Sequence, residues 1–234
     1  MGNSGTTSIR EKQNAANKAV EFVKDGITIG LGTGSTINFF LENLAEKIQS
    51  GINITAVSTS AQTTERAKAL GIDIKDLNDI KKIDITFDGA DEVDPNLNGI
   101  KGGGGALLYE KIVAKISEKN IWLVDSTKYV NYLGKFPLPI EIVPFGSEHL
   151  IRMLEVKGYN PKFRMNGTKY FLSDGGHKII DIHLGKIEDT NSLNAELLLI
   201  TGIIETGLFL NICDVLIIGE SKDCRVINKK KPAL

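Results

Sequence analysis

Ile27-Thr28-Ile29-Gly30-Leu31-Gly32-Thr33-Gly34-Ser35-Thr36-Ile37 decides the fold. It runs from a short apolar strand, through three alternating glycines, into a segment with helical spacing: Ile37, Phe40, Leu41, Leu44 and Ile48 share one face. A turn of this kind aims backbone N–H groups and a helix N-terminus at one point, which suits an anion, and Ser35 and Thr36 add hydroxyls. The plain structural alternative is a tight strand–helix turn capped by a serine. The spacing is not G-x-G-x-x-G, and no G-x-x-x-x-G-K-[ST] occurs, so neither a dinucleotide fingerprint nor a P-loop is present.

Outward from this stretch the pattern alternates. Helical spacing over 9–23 precedes it. Strand 54–57, helix 61–70, strand 83–87, helix 106–117 and strand 121–124 follow. Such alternation predicts an α/β fold, a Rossmann-like parallel sheet covered by helices. Composition shifts at Gly134-Lys135-Phe136-Pro137-Leu138-Pro139. Beyond it the order reads strand 141–143, helix 147–156, strands 162–165 and 179–183, helix 193–200 and strand 203–208. That β-α-β-β-α-β order predicts a second, smaller ferredoxin-like α+β domain. The expected domains are 1–133 plus 209–234 and, between them, 134–208. The apolar run 215–218 is expected to return to the first sheet.

Composition narrows the function. The chain has 234 residues, with 28 Lys+Arg against 29 Asp+Glu and a net charge of -1, which leaves no electrostatic footprint for nucleic acid. No apolar run approaches the about 18–20 residues that span a bilayer. Cys213 and Cys224, the only cysteines, make neither a disulfide framework nor a zinc site and suit a reduced, cytoplasmic setting. Met1–Ser8 is small and polar, is followed by no signal-peptide core, and is expected to be frayed. Gly2 and Thr6 fit a loose acylation pattern that occurs often by chance. His149, His177 and His183 fit no metal-ligand spacing.

Two further segments carry chemistry. Asp88-Gly89-Ala90-Asp91-Glu92-Val93-Asp94 puts four carboxylates at the C-terminal end of a strand, where open α/β sheets place ligands. Acid–base work and a divalent-metal site both fit, as does a solvated acidic loop. In Lys101-Gly102-Gly103-Gly104-Gly105-Ala106-Leu107-Leu108-Tyr109-Glu110-Lys111, a cation and a glycine run precede a helix. The run can wrap a polar substrate in N–H groups, Lys101 can stabilise an oxyanion, and Glu110 can act as a base. Alternatively the run is a flexible loop, and Glu110 an acid complementing the helix dipole.

GLGTGST (30–36), DGADEVD (88–94) and KGGGGALLYEK (101–111), in this order, resemble ribose-5-phosphate isomerase of the A type. The resemblance continues through LVDSTK (123–128), LGKFPLP (133–139) and ETGLF (205–209) and spans about 12–219. It implies interconversion of D-ribose 5-phosphate and D-ribulose 5-phosphate without a metal or other cofactor, in a cytoplasmic homodimer or homotetramer. By resemblance, Thr33, Gly34, Ser35, Thr36, Lys128 and Lys12 bind the phosphate end. Asp88 and Asp91, with Gly89 and Ala90 between them, contact sugar hydroxyls and assist ring opening. Lys101, with Gly102, Gly103 and Gly104, stabilises charge on the sugar oxygens, and Glu110 accepts the proton. The four-glycine run departs from the alanine-containing version expected. Rival readings are a sugar-phosphate sensor, for which the stretch before Lys12 is too short to hold a helix-turn-helix, and a deaminase or lactonase on the same fold. A dinucleotide dehydrogenase would need an acidic residue ending the second strand.

Overall fold

The computed structural model of the chain describes residues 3–230, so Gly2 lies outside the described residues. The chain divides into two compact units. The first holds 1–90, 109–129 and 212–234, and the second 91–108 and 130–211. The second therefore includes 91–108, which the sequence pattern had placed with the first domain.

The first unit is built on a six-stranded sheet in the order Cys224–Asn228, Val215–Gly219, Asn120–Asp125, Ile85–Asp88, Thr28–Leu31, Thr55–Ser58. Every pairing is parallel except that of the Cys224–Asn228 edge strand. After Thr28–Leu31 the chain places its next strand on one side and Ile85–Asp88 on the other. This is a topological switch point, and both strands end there in the glycine and aspartate loops. The Asn120–Asp125 and Val215–Gly219 strands are buried throughout, as expected of strands covered on both faces. The helix Ser35–Gln49 buries Ile37, Phe40, Leu41 and Leu44, and Phe40 stacks on Phe87 with ring centroids 4.4 Å apart.

The first helix spans Asn3–Ala19, so it includes most of the stretch expected to fray. Ala15, Ala16 and Ala19 are fully buried on its inner face, and these small side chains let it lie close to the sheet. The closest approach is at Gly219, where a Cβ would stand 1.7 Å from the carbonyl oxygen of Glu11.

The second unit is a four-stranded antiparallel sheet in the order Ile203–Thr206, Leu138–Ile142, Lys178–Ile182, Pro161–Phe163. With helices Ser147–Val156 and Thr190–Leu198 it has the expected ferredoxin-like order. Alternation sets its two faces. Leu138, Ile140 and Ile142 join Ile180, Ile182, Leu150, Leu154 and Leu197 in one core, while Glu141 and Asp181 point away. A hairpin, Met165–Asn166 with Lys169–Tyr170, interrupts the order. A small sheet of Glu92–Val93, Gly99–Ile100 and Leu208–Phe209 completes the unit.

Two predictions follow from packing. Gly219→Ala is expected to destabilise the protein by about 1–3 kcal/mol, because helix backbone occupies the space a methyl group needs; a thermal melt reads it. The Cys213 thiol is fully buried and its pKa is pushed far up by burial, with Asp214 adding to the shift, whereas Cys224 is partly exposed. A thiol reagent at pH 8 should therefore label Cys224 and leave Cys213 unmodified until the chain is unfolded, as peptide mapping would show.

Candidate active site

Of the first unit's candidate residues, Thr33, Gly34, Asp88, Gly89 and Ala90 stand where the strands end at the switch point, while Lys12 and Glu110 stand on helices. Gly34, at φ +124°, caps the Ser35–Gln49 helix in a conformation that favours glycine, and Thr36 is the second residue of its first turn. Ser35 is exposed, and its Oγ accepts a hydrogen bond from Lys12 Nζ at 3.0 Å. A cation on the first helix thus stands at the positive end of another helix, an arrangement that favours a bound anion. Thr33 is different. Its hydroxyl is buried and bonds Thr59 Oγ1 and Ser60 Oγ, both at 2.8 Å, so the side chain braces the loop. Thr63 Oγ1 adds a bond to the Gly32 carbonyl at 2.9 Å.

Lys128 ends a single turn, Ser126–Lys128, after the Asn120–Asp125 strand. Buried Glu11 holds this turn, accepting from Ser126 N–H at 3.0 Å and Ser126 Oγ at 2.8 Å. Glu11 therefore fixes the turn that carries one candidate lysine, while its chain neighbour Lys12 is the other.

Asp88 is 2% exposed. Its Oδ1 accepts from Thr33 N–H at 3.1 Å and from the adjacent Gly89 N–H at 2.7 Å, which joins the glycine loop to the aspartate loop. Gly32 must be glycine here, because a Cβ would stand 2.0 Å from Asp88 Oδ1. Gly89 and Ala90 are half-buried behind it. Glu110 lies in the first turn of the Leu107–Lys115 helix and is 3% exposed. Val113 of the same helix approaches the sheet at Gly30, where a Cβ would meet it at 2.8 Å.

The second unit holds Asp91, Lys101 and the glycine run. Asp91 Oδ2 accepts from Gly103 N–H at 2.8 Å, and a Cβ on Gly103 would stand 2.6 Å from Asp91 Oδ1. Lys101 is 2% exposed, with its Nζ 5.2 Å from the centroid of Phe209. Gly105 N–H closes a turn on the Gly102 carbonyl at 2.9 Å. The N–H groups of Gly103 and Gly105 are thus engaged within the unit rather than open to a ligand. Gly102 and Gly105 have φ of +105° and +83°, so the glycine run is a shaped turn, not a flexible loop.

The acidic segment separates by role. Glu92, buried, accepts from Gly134 N–H and Phe136 N–H, both at 2.7 Å, and so holds the linker-like stretch. Asp94 accepts from Asn96 N–H and Asn98 N–H, both at 2.9 Å, and shapes a turn. Asp88 and Asp91 likewise accept from backbone N–H groups, those of Thr33 and Gly89 and that of Gly103. Among the described residues no three His, Cys, Asp or Glu side chains converge as a metal-ligand group. Sequence reasoning missed Glu11, the hydroxyl cluster of Thr59, Ser60 and Thr63, and Arg164, whose guanidinium reaches the glycine run. Glu11 and Arg164 have partners distant in the chain, whereas Ser60 caps the Ala61–Ala69 helix through Thr63 N–H, a local signal that the spacing of the two residues carries.

Comparison with known proteins agrees with this arrangement of motifs. The family model for ribose 5-phosphate isomerase A (phosphoriboisomerase A) matches residues 55–223. The ribose-5-phosphate isomerase A of Limosilactobacillus reuteri (strain DSM 20016) is 47% identical over 221 residues, covering 94% of this chain and 97% of the relative. A D-ribose-5-phosphate isomerase structure in complex with phospho-erythronic acid superposes with a TM-score of 0.90 at 39% identity, covering 93% of this chain and 97% of that one. The ribose 5-phosphate isomerase A structure from Neisseria gonorrhoeae gives 0.89 at 42% identity over 97% and 99% of the two chains. Identity at this level across nearly the whole length leaves one conclusion: the chain belongs to the ribose 5-phosphate isomerase A family.

Proposed function

We infer that the chain interconverts D-ribose 5-phosphate and D-ribulose 5-phosphate, the activity for which its relatives are named. The structural observation that carries this reading is the burial of Lys101 and Glu110, 2% and 3% exposed, at the two ends of one glycine run. Burying ionisable side chains is costly.

Ribose 5-phosphate is mostly cyclic, so the ring must open before isomerisation. Opening moves a proton from the anomeric hydroxyl to the ring oxygen, a task for the Asp88 and Asp91 carboxylates. Glu110 then removes the C2 proton of the open aldehyde; the C2–H electron pair becomes the second C1–C2 bond, the C1=O π pair moves onto O1, and a cis-enediolate results. Lys101 stabilises the negative charge on its oxygens. Glu110 returns the proton to C1 while the hydrogen on O2 passes to O1 and the C2=O bond forms, which yields the ketose. Lys12, Lys128 and the N-terminus of the Ser35–Gln49 helix hold the phosphate and fix the sugar's direction. Gly89, Ala90, Gly102 and Gly104 line the sugar with backbone.

The assembly is a homodimer or homotetramer in the cytoplasm, with the second unit contributing to the subunit contact. Support comes from the exposure of Phe145, Val156 and Leu199 on that unit, at 93%, 90% and 85%. Both cysteines are free thiols, as a reducing compartment requires.

Three outcomes are expected. Purified protein, treated with a chelator, should convert ribose 5-phosphate to the ketose, and Glu110→Gln should lower kcat by about 10²–10⁴-fold; an inactive parent would favour the sensor or sister-enzyme readings. Lys12→Ala should raise KM roughly tenfold while changing kcat less, since it removes binding common to substrate and transition state. Phe145→Ser with Leu199→Ser should shift the protein to a smaller species in light scattering coupled to size exclusion, and an unchanged mass would exclude these side chains from the contact.

A further inference from the structure

Arg164 follows the Pro161–Phe163 strand in the second unit and is half-buried. Its guanidinium forms a two-point pair with Asp181, through Nε to Oδ2 at 2.9 Å and through NH2 to Oδ1. Asp181 stands on the Lys178–Ile182 strand, so the guanidinium is anchored to regular sheet. The remaining terminal nitrogen, NH1, donates to the Gly102 carbonyl at 2.6 Å and to the Gly103 carbonyl at 3.2 Å. Phe171 completes the hold. Its ring occupies the space a Cβ on Gly105 would need, and the Arg164 guanidinium carbon lies 5.9 Å from its centroid.

The Gly102 carbonyl and the Gly103 N–H belong to one peptide group. One end of that planar unit accepts from Arg164, and the other donates to Asp91 Oδ2. A peptide plane is rigid, so fixing its carbonyl fixes the direction of its N–H. The guanidinium also polarises the peptide in the sense that strengthens the bond to the carboxylate. We propose that Arg164, anchored by Asp181, is a positioning residue that sets the Asp91 carboxylate through the Gly102–Gly103 peptide. This rests on the assignment of Asp91 to ring opening and hydroxyl contact. It adds a residue more than sixty positions away in the chain, with no direct role toward the sugar.

The test is a double-mutant cycle with ribose 5-phosphate as substrate, using Arg164→Gln, Asp91→Asn and the double variant, with a thermal melt of each. Arg164→Gln is expected to lower kcat by roughly 10²-fold with KM within about threefold, as for a misplaced catalytic group. In the Asp91→Asn background the same change should cost less than about threefold, because the group it positions is already gone. A purely structural role would cost the same in both backgrounds, and that result, or a kcat for Arg164→Gln within threefold of the parent, overturns the proposal. If Arg164→Gln melts below the assay temperature, Arg164→Lys takes its place under the same criteria, since it keeps the cation but cannot form the two-point pair and reach the loop together. A parent-like kcat for Asp91→Asn would refute the underlying assignment instead.

Discussion

The Asp88 carboxylate is the constraint on which the first unit's site depends. A buried carboxylate must find donors, and here they are backbone N–H groups of two different loops, Thr33 and Gly89. One acid therefore sets the spacing between the loop that presents the helix N-terminus and the loop that leads to Asp91. The price is paid in sequence: Gly32 has no freedom to carry a side chain, because the carboxylate lies where its Cβ would be. The clustered glycines of 30–34 divide the work. Gly30 lets a helix approach the sheet, Gly32 admits Asp88, and Gly34 turns the chain into the helix.

The same logic recurs in the second unit with different groups. Gly103 admits the Asp91 carboxylate, Gly102 makes room for Leu107, and Gly105 admits the Phe171 ring. Backbone close approach, not flexibility, accounts for three of the four glycines. Charged groups hold the loops. Glu11 fixes the Lys128 turn, Glu92 fixes the 134–136 stretch, and the pair of Arg164 and Asp181 fixes the glycine run. Each uses charge-assisted bonds to backbone or to a partner charge, stronger than neutral ones and directional enough to set a loop's course.

Much of the fold was legible because its elements are long and periodic. The helix Ser147–Val156 falls at the bounds its spacing predicts, and the apolar run near 215–218 does join the first sheet. What escaped was short or distant in origin. The strands Glu92–Val93, Gly99–Ile100 and Leu208–Phe209 are two residues each, too few to show alternation, and they form only because their partners are brought in by the rest of the unit. The Cys224–Asn228 edge strand alternates too little to announce itself. For the candidate site, the motifs single out the carboxylates but not the contacts each one makes. Asp88, Asp91, Glu92 and Asp94 look alike in sequence; the structure shows which loop each one ties, through the N–H groups it meets. Arg164 had no signal at all, since its partners are the glycine run and a strand in the next segment.

The interleaving of the two units has a consequence for how this protein can be taken apart. The chain passes between units at 90/91, 108/109, 129/130 and 211/212. Two of those junctions fall inside the DGADEVD and KGGGGALLYEK motifs, one between Asp88 and Asp91 and the other between Lys101 and Glu110. A single proteolytic nick cannot release either unit as an intact piece, and a gene fragment cannot encode the first without carrying both pieces of the second. Transplanting one unit from a relative would need four splice points, two of them within the glycine and aspartate motifs. Recombination within this fold is therefore expected to preserve the pairing of its halves, so that substitutions in one unit are selected against a fixed partner.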